Sequence, residues 1–564
     1  MAYAHSSQRS LVIPRPHFFD HRTVISSLGS FPRSFVIGNP NFRPATPCVE
    51  FLVPVNPPFV PSVGFTVNPA LLIHMDEERS RSLLQFMADE GLLPSPDDEL
   101  KRLDAIAELK QIVLAWIKKV AWQRRLPKSQ ILSTSSTILT YGSYGLGVHG
   151  PESDIDALCV GPSFATMTED FFIVLRNMLQ NRHEVSEIHC VKDAKVPLMR
   201  FKFNGISIDL PYAQLKVPSV PDNVDILNPL FLRNIDETSW KSLSGVRANI
   251  CILQLVPNLQ NFQSMLRCLK LWARRRGVYG NLLGFFGGIH LAILSAYVCQ
   301  RHPNASLNTL ISKFFETFAL WRWPTPVVLQ DGMMPLVGDV SETHFLMPIR
   351  LPCSPFEFCH SNITRSTFHR IVAEFLRGHA ITKDLLRPNF AWSSLFEHFC
   401  YTKRYMRFVR IFLSASNLDA LGDWVGWVKS RIRCLLVKLE EVHGFCDPNP
   451  IEYVDIDATE PNIVFYWGLK PGRNIFIDLD FVEQDFVKNI NNGCQGPRGR
   501  IALSIVQAKK VSNVEFDLES GKDFKAYWRI FRYNEQRKSI YSQHLPQYFI
   551  GYVATYGDVS AVGG

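Results

Sequence analysis

The stretch YGSYGLGVHGPESDIDALCVG runs from Tyr141 to Gly161 and joins a glycine-serine turn to a pair of acids. Gly142-Ser143 offers backbone N–H groups and a hydroxyl to a phosphate. Asp154 and Asp156 stand at i and i+2, so on a strand they project from one face. Ile155 and the following Ala157-Leu158-Cys159-Val160 are apolar, which buries that strand. Buried carboxylates are unfavourable unless paired or coordinated. Alone, two acids two residues apart say little, because exposed strands often carry them. A phosphate cradle beside paired carboxylates is what metal-assisted nucleotidyl transfer requires.

A second segment sharpens this reading. MRFKF, then Asn204-Gly205, then ISIDL reads as a hairpin with a two-residue turn. That turn pairs Phe203 with Ile206, Lys202 with Ser207, Phe201 with Ile208 and Arg200 with Asp209. Phe201, Phe203, Ile206 and Ile208 form a core face; Arg200, Lys202, Ser207 and Asp209 form the polar one. If the hairpin abuts the Asp154–Asp156 strand, three carboxylates converge, a set suited to two magnesium ions.

The chain has 564 residues, 46% of them hydrophobic and 12% aromatic. These values fit a protein of several domains with large cores. The net charge of +8 is compatible with a polyanionic partner. Twelve cysteines lie scattered with no CxxC pair, which argues against zinc and against a disulfide framework. Residues 1–74 contain arginine but no lysine, and only Asp20 and Glu50 are acidic. They read as a disordered extension, with an organelle transit peptide as the alternative. Leu282–Cys299 has almost no charge, yet Gly284, Gly287 and Gly288 make it a loop leading into a buried helix rather than a membrane span.

Helical periodicity marks residues 76–125, 171–180, 245–320 and 368–381. One amphipathic helix is expected over WVGWVKSRIRCLLVKLEEVHG, residues 424–444. ILSTSSTILTYG, KRYMRFVRIFLSAS, NIVFYWGL, NIFIDLDFV and YWRIFRY read as strands. The mixture predicts an α+β multidomain protein with a mixed sheet. KRYMRFVR (403–410) and YWRIFRY (527–533) interleave basic and aromatic residues, as RNA-contacting strands do, although strands with one buried aromatic face look the same. Lys270, Arg274 and Arg275 fall on adjacent helical turns, either as a solvated basic face or as cations reaching phosphate. Tyr279 and Asn281 follow that helix and are suited to base stacking and to ribose or base-edge contact.

Taken in order, YGSYGLGVHGPESDIDALCVG, FKFNGISIDL, RCLKLWARRRGVYGN and GFFGG resemble the eukaryotic nuclear-type poly(A) polymerases of the DNA polymerase β-like nucleotidyltransferase superfamily. The likeness covers about residue 75 to at least 480 and looks most like plant members. It implies a nucleotidyltransferase palm (75–255), a helical middle domain (256–350) and a C-terminal RNA-recognition-like α+β domain (351–550), with 551–564 as a tail. It implies AMP transfer from ATP to an RNA 3′ end with release of pyrophosphate, in mRNA 3′-end processing. Asp154, Asp156 and Asp209 would bind two Mg2+ ions, with Mn2+ as an alternative. Tyr141, Gly142, Ser143, Gly150, Ser153 and Ile155 would lie with them around the triphosphate, and Lys270, Tyr279, Asn281, Gly288 and Ile289 would line the ATP pocket. A monomer is expected, working with cleavage and polyadenylation factors and no membrane.

The resemblance also exposes departures. Relatives usually carry Arg where Gly145 stands, a basic stretch where Ser163-Phe164-Ala165-Thr166 stands, a residue other than proline at Pro211, and a small or aliphatic residue at Phe286. The Ser/Lys-rich tail common after the third domain does not precede Gly564. Nuclear residence is therefore the family expectation and cytoplasmic residence the alternative. The rival activities are CCA addition or uridylyl transfer, and RNA binding on a degenerate catalytic domain.

Overall fold

The computed structural model describes residues 69–192, 194–329, 345–387, 389–455, 457–470, 478–492, 499–509 and 511. Five strands build the first sheet: β1 (Thr137–Tyr141), β2 (Ile155–Gly161), β3 (Val185–Val191), β4 (Leu198–Phe203) and β5 (Ile206–Gln214). Their order is β1-β2-β5-β4-β3. β2 and β5 are parallel and the other neighbours antiparallel, so the sheet is mixed as expected.

Period-two alternation sorts each central strand between two cores. Ile155, Ala157, Cys159, Ile208, Leu210 and Tyr212 pack with Trp116 and Phe171 under the helices Pro96–Gln123 and Met167–Gln180. Leu158, Val160, Ala213 and Leu215 face the helix Glu237–Leu255 through Leu243 and Val246. Asp156 and Asp209 share this second face, at the strand ends beyond its apolar patch. The β4–β5 hairpin has the expected register, with Asn204 at φ 48° and Gly205 at φ 83°. Two consecutive left-handed residues define the hairpin turn that Asn-Gly favours.

A helical layer follows: Leu259–Arg275, Gly288–Arg301, Leu307–Ala319 and Arg365–Thr382. Its centre is aromatic, with Trp272, Phe286, Phe314, Phe315, Phe318 and Phe375 in ring contact. Leu282–Cys299 is a loop leading into the buried helix Gly288–Arg301, and no described helix is long and apolar enough to cross a membrane. The second sheet is antiparallel in the order β7-β8-β6-β9, from β6 (Arg407–Ser414), β7 (Cys446–Asp447), β8 (Asn462–Leu469) and β9 (Arg500–Gln507).

Several local expectations are corrected. Residues 424–444 form parts of two helices, Leu418–Lys429 and Ile432–His443, because Arg431 leaves helical geometry and stacks on Trp427 at 3.4 Å. The described part of NIFIDLDFV is helical, not extended: Asp478 caps the helix Leu479–Asn491 by accepting from the Phe481 N–H at 3.0 Å. ILSTSSTILTYG contains the end of the short helix Lys128–Ser133 before β1 begins. YWRIFRY lies outside the described residues. In KRYMRFVR, only Arg407–Arg410 lies in β6; Arg410 pairs with Asp455 at 2.5 Å and stacks on Phe412.

Candidate active site

The turn after β1 is built on glycine. Gly142 has φ 62°, and a β-carbon there would overlap the Asp156 carboxylate. The Asn249 side-chain amide donates to the Gly142 carbonyl at 3.0 Å and ties the turn to the helix Glu237–Leu255. Ser143 Oγ is buried and makes no hydrogen bond within the protein. A buried hydroxyl with no protein partner is open to a ligand acceptor or an ordered water. Further along, Gly150 N–H donates to Ser153 Oγ at 2.9 Å, and Arg102 donates to the Ser153 carbonyl at 2.6 Å. These bonds fix the loop that delivers Asp154.

The three acids meet. Parallel pairing of β2 with β5 puts Asp156 beside Asp209, and one ligand oxygen from each of Asp154, Asp156 and Asp209 lies within 4.8 Å of the others. Their exposures are 5%, 4% and 1%. Buried carboxylates this close demand positive charge. Part of it comes from Arg200 on β4, whose Nε and Nη2 donate to the two Asp209 oxygens at 2.7 and 2.6 Å. An all-oxygen cluster suits hard divalent ions such as Mg2+ and Mn2+. The Tyr141 phenol is pushed well above the ordinary tyrosine range, first by burial and then by Asp156, Asp209 and Asp154, so it stays protonated.

A cleft of about 410 Å³ opens beside this cluster. Tyr141, Gly142, Ser143 and Asp156 form its floor, and Lys270, Gly288 and Ile289 enter from the helical layer. Lys270 is buried, whereas Arg275 pairs with Glu90 at 3.0 Å and Arg274 stacks on Tyr279 at 5.3 Å. The basic helix thus divides: one cation faces the cleft and two are engaged elsewhere. Tyr279 and Asn281 do not line this cleft. Tyr279 forms a backbone bridge with Phe286, and Asn281 is fully buried with its carbonyl accepting from Asn362 at 3.1 Å. Ile155 anchors β2 in the core.

Other wall residues escaped the sequence reading. Trp240, Lys241 and Ser244 come from the helix Glu237–Leu255, and Leu351, Phe358 and His360 from a distant loop. His290, next to Ile289, accepts from the Gly287 N–H at Nδ1 (2.9 Å) and faces the His360 carbonyl with Nε2 (3.1 Å). Burial lowers its pKa to about 4 and keeps it neutral. Apart from the Gly287–His290 cap, three residues apart at the helix start, these contacts have no local spacing signature.

A glycine-serine turn, two sheet-borne carboxylates and a third just before β2, all beside a helical layer, define a nucleotidyltransferase. Residues 73–256 match the poly(A) polymerase nucleotidyltransferase domain and residues 261–398 the poly(A) polymerase central domain. The chain is 59% identical over 483 residues to nuclear poly(A) polymerase 3 of Arabidopsis thaliana, spanning 85% of this chain and 94% of that protein. It is 39% identical over 435 residues to nuclear poly(A) polymerase 4 of the same plant, covering 75% and 59% of the two chains. Identity to a Dictyostelium discoideum poly(A) polymerase is 36% over 449 residues, 76% of this chain and 55% of that one. A solved cytoplasmic RNA terminal U-transferase aligns over 57% of this chain and 99% of its own, at 14% identity and a TM-score of 0.41. This chain belongs to the poly(A) polymerase family.

Proposed function

We propose that the protein is a template-independent polynucleotide adenylyltransferase that extends RNA 3′ ends with AMP from ATP in mRNA 3′-end processing. The observation that carries this reading is the convergence of Asp154, Asp156 and Asp209 within 4.8 Å, next to Ser143. The RNA 3′-oxygen forms a bond to the α-phosphorus while the α–β bridging bond breaks and pyrophosphate leaves. Two divalent ions held by the three carboxylates would neutralise the triphosphate and lower the pKa of the attacking hydroxyl. Ser143 Oγ and the turn N–H groups bind phosphate oxygen, with Gly150, Ser153 and Ile155 supporting the loop and strand behind them. Lys270 adds a compact charge from the opposite wall. Gly288 and Ile289 shape that wall, while Tyr279 and Asn281, which lie outside the cleft lining, support the segment that leads to it.

The working division is a palm at 75–255, a helical domain at 256–350 and an RNA-binding domain at 351–550. Nuclear residence, a monomeric state and contact with cleavage and polyadenylation factors belong to the same reading. The test extends an oligo(A) primer with each of the four nucleotides and a divalent ion. ATP-selective extension is expected, abolished in Asp154→Ala, Asp156→Ala and Asp209→Ala with melting curves that still show a folded protein. Undiminished extension by any of the three variants overturns the carboxylate assignment, and selective use of UTP overturns the adenylyl assignment.

A further inference from the structure

Asp156, Asp209 and Arg200 occupy one row across three neighbouring strands. β2 pairs in parallel with β5 at Asp156–Asp209, and β5 pairs antiparallel with β4 at Arg200–Asp209. Arg200 uses two nitrogens on the two Asp209 oxygens, at 2.7 and 2.6 Å. The Arg200 side chain retains 23% exposure while that of Asp209 has 2%. The arginine therefore reaches into the cluster from its wetter side.

A carboxylate oxygen has a limited set of acceptor directions, and a forked arginine takes one on each oxygen. A divalent ion at the same acids adds positive charge beside the guanidinium, and like charges disfavour one another. The next polar pair along the hairpin does not provide this arrangement, because Lys202 engages Glu187 at 2.8 Å, away from the acids.

We propose that Arg200 is a resident counter-ion of the carboxylate cluster that competes with divalent cations for Asp209 and sets their affinity. This rests on reading the cluster as a metal site. Without the metal, the arginine neutralises Asp209; as the cation binds, the arginine contact loosens and the side chain withdraws toward solvent. The residue thus weakens metal binding while protecting the metal-free fold from three uncompensated buried charges.

The experiment is Mn2+ binding by calorimetry to the full chain, comparing wild type with Arg200→Met and Arg200→Lys. Loss of the competing charged hydrogen bonds should tighten the Arg200→Met Kd about tenfold. Arg200→Lys keeps the charge but not the fork and should fall between. Arg200→Met should also melt lower than wild type without metal and gain more on adding Mn2+. If Arg200→Met does not fold, Arg200→Lys decides: tighter binding than wild type supports the proposal. Equal or weaker binding in the folded variants overturns it and makes Arg200 a residue that positions Asp209 for the ion. Absence of Mn2+ binding by wild type overturns the proposal together with the metal reading beneath it, whereas wild-type binding unaffected by either substitution overturns the proposal alone.

Discussion

Gly142 lies against Asp156 so closely that its missing side chain is part of the site. A β-carbon there would overlap the carboxylate, and the backbone is already left-handed at φ 62°. Gly142→Ala should therefore strain the backbone and displace the Asp156 carboxylate together. The expected loss is about 1–3 kcal/mol of stability and roughly 100-fold in primer extension, since small misplacements are amplified at reacting centres. Urea unfolding and steady-state kinetics measure the two. Wild-type kinetics in a folded Gly142→Ala protein would remove the turn from the mechanism.

The resemblance leads to an expectation of arginine where Gly145 stands, and the surroundings of Gly145 leave little room for a side chain. A β-carbon would fall 2.8 Å from the Thr140 carbonyl oxygen and 3.2 Å from Asn249 Nδ2. The first neighbour is backbone of β1, and the second holds the Gly142 carbonyl. Gly145→Arg should disturb the glycine-serine turn rather than improve it. A stability loss of about 1–3 kcal/mol is expected from overpacking, with lower primer extension. Higher activity at unchanged melting temperature would show that the turn relaxes to accept the side chain.

The part of this architecture that could be read beforehand is the part with local rules. A two-residue Asn-Gly turn leaves one register, so Arg200 opposite Asp209 followed from four residues of spacing. The buried strand around Asp154 and Asp156 followed from its apolar neighbours. β3 was missed because its pairing shifts between Ser186 and His189 and Glu187 is left-handed at φ 56°, which destroys simple alternation. Residues 474–482 alternate like a strand, yet the Asp478 cap commits the chain from Leu479 onward to a helix. Trp240, Phe358 and His360 reach one cleft from segments more than 100 residues apart, and only the tertiary fold brings them together.

A buried ion network ties the helical layer to the second sheet. Glu374 accepts from Arg276 Nε at 2.7 Å and from Arg370 Nη1 at 2.7 Å, while Arg370 Nε reaches Asp447 at 3.0 Å. Tyr405 donates to the same Asp447 at 2.7 Å. Glu374→Ala leaves the buried Arg276 without its carboxylate partner and Arg370 with Asp447 alone. A loss of about 3–5 kcal/mol is expected in urea unfolding, because removal of one partner leaves a buried charge uncompensated. A loss below about 1 kcal/mol would mean that water replaces the carboxylate there.

His290 should make stability depend on pH. Burial holds its folded pKa at about 4, below the unfolded value near 6.5, with the hydrogen bond to the His360 carbonyl opposing that shift only in part. The neutral form is therefore the one the fold accepts. Its contribution is fully present above about pH 6.5 and is lost as pH falls from 6.5 toward 4, where the unfolded chain binds the extra proton. Between pH 7.5 and 5 this single group should remove about 2 kcal/mol of stability. Carboxylates titrate over part of the same range, so the comparison is with His290→Asn. Its amide oxygen can still accept from Gly287 N–H, but it cannot take up the proton. Urea unfolding at the two pH values should show a smaller loss in the variant, by about 2 kcal/mol. Equal losses in the two proteins would mean that the ring protonates inside the fold, and the neutral histidine behind Ile289 would then have no role in holding that wall of the cleft.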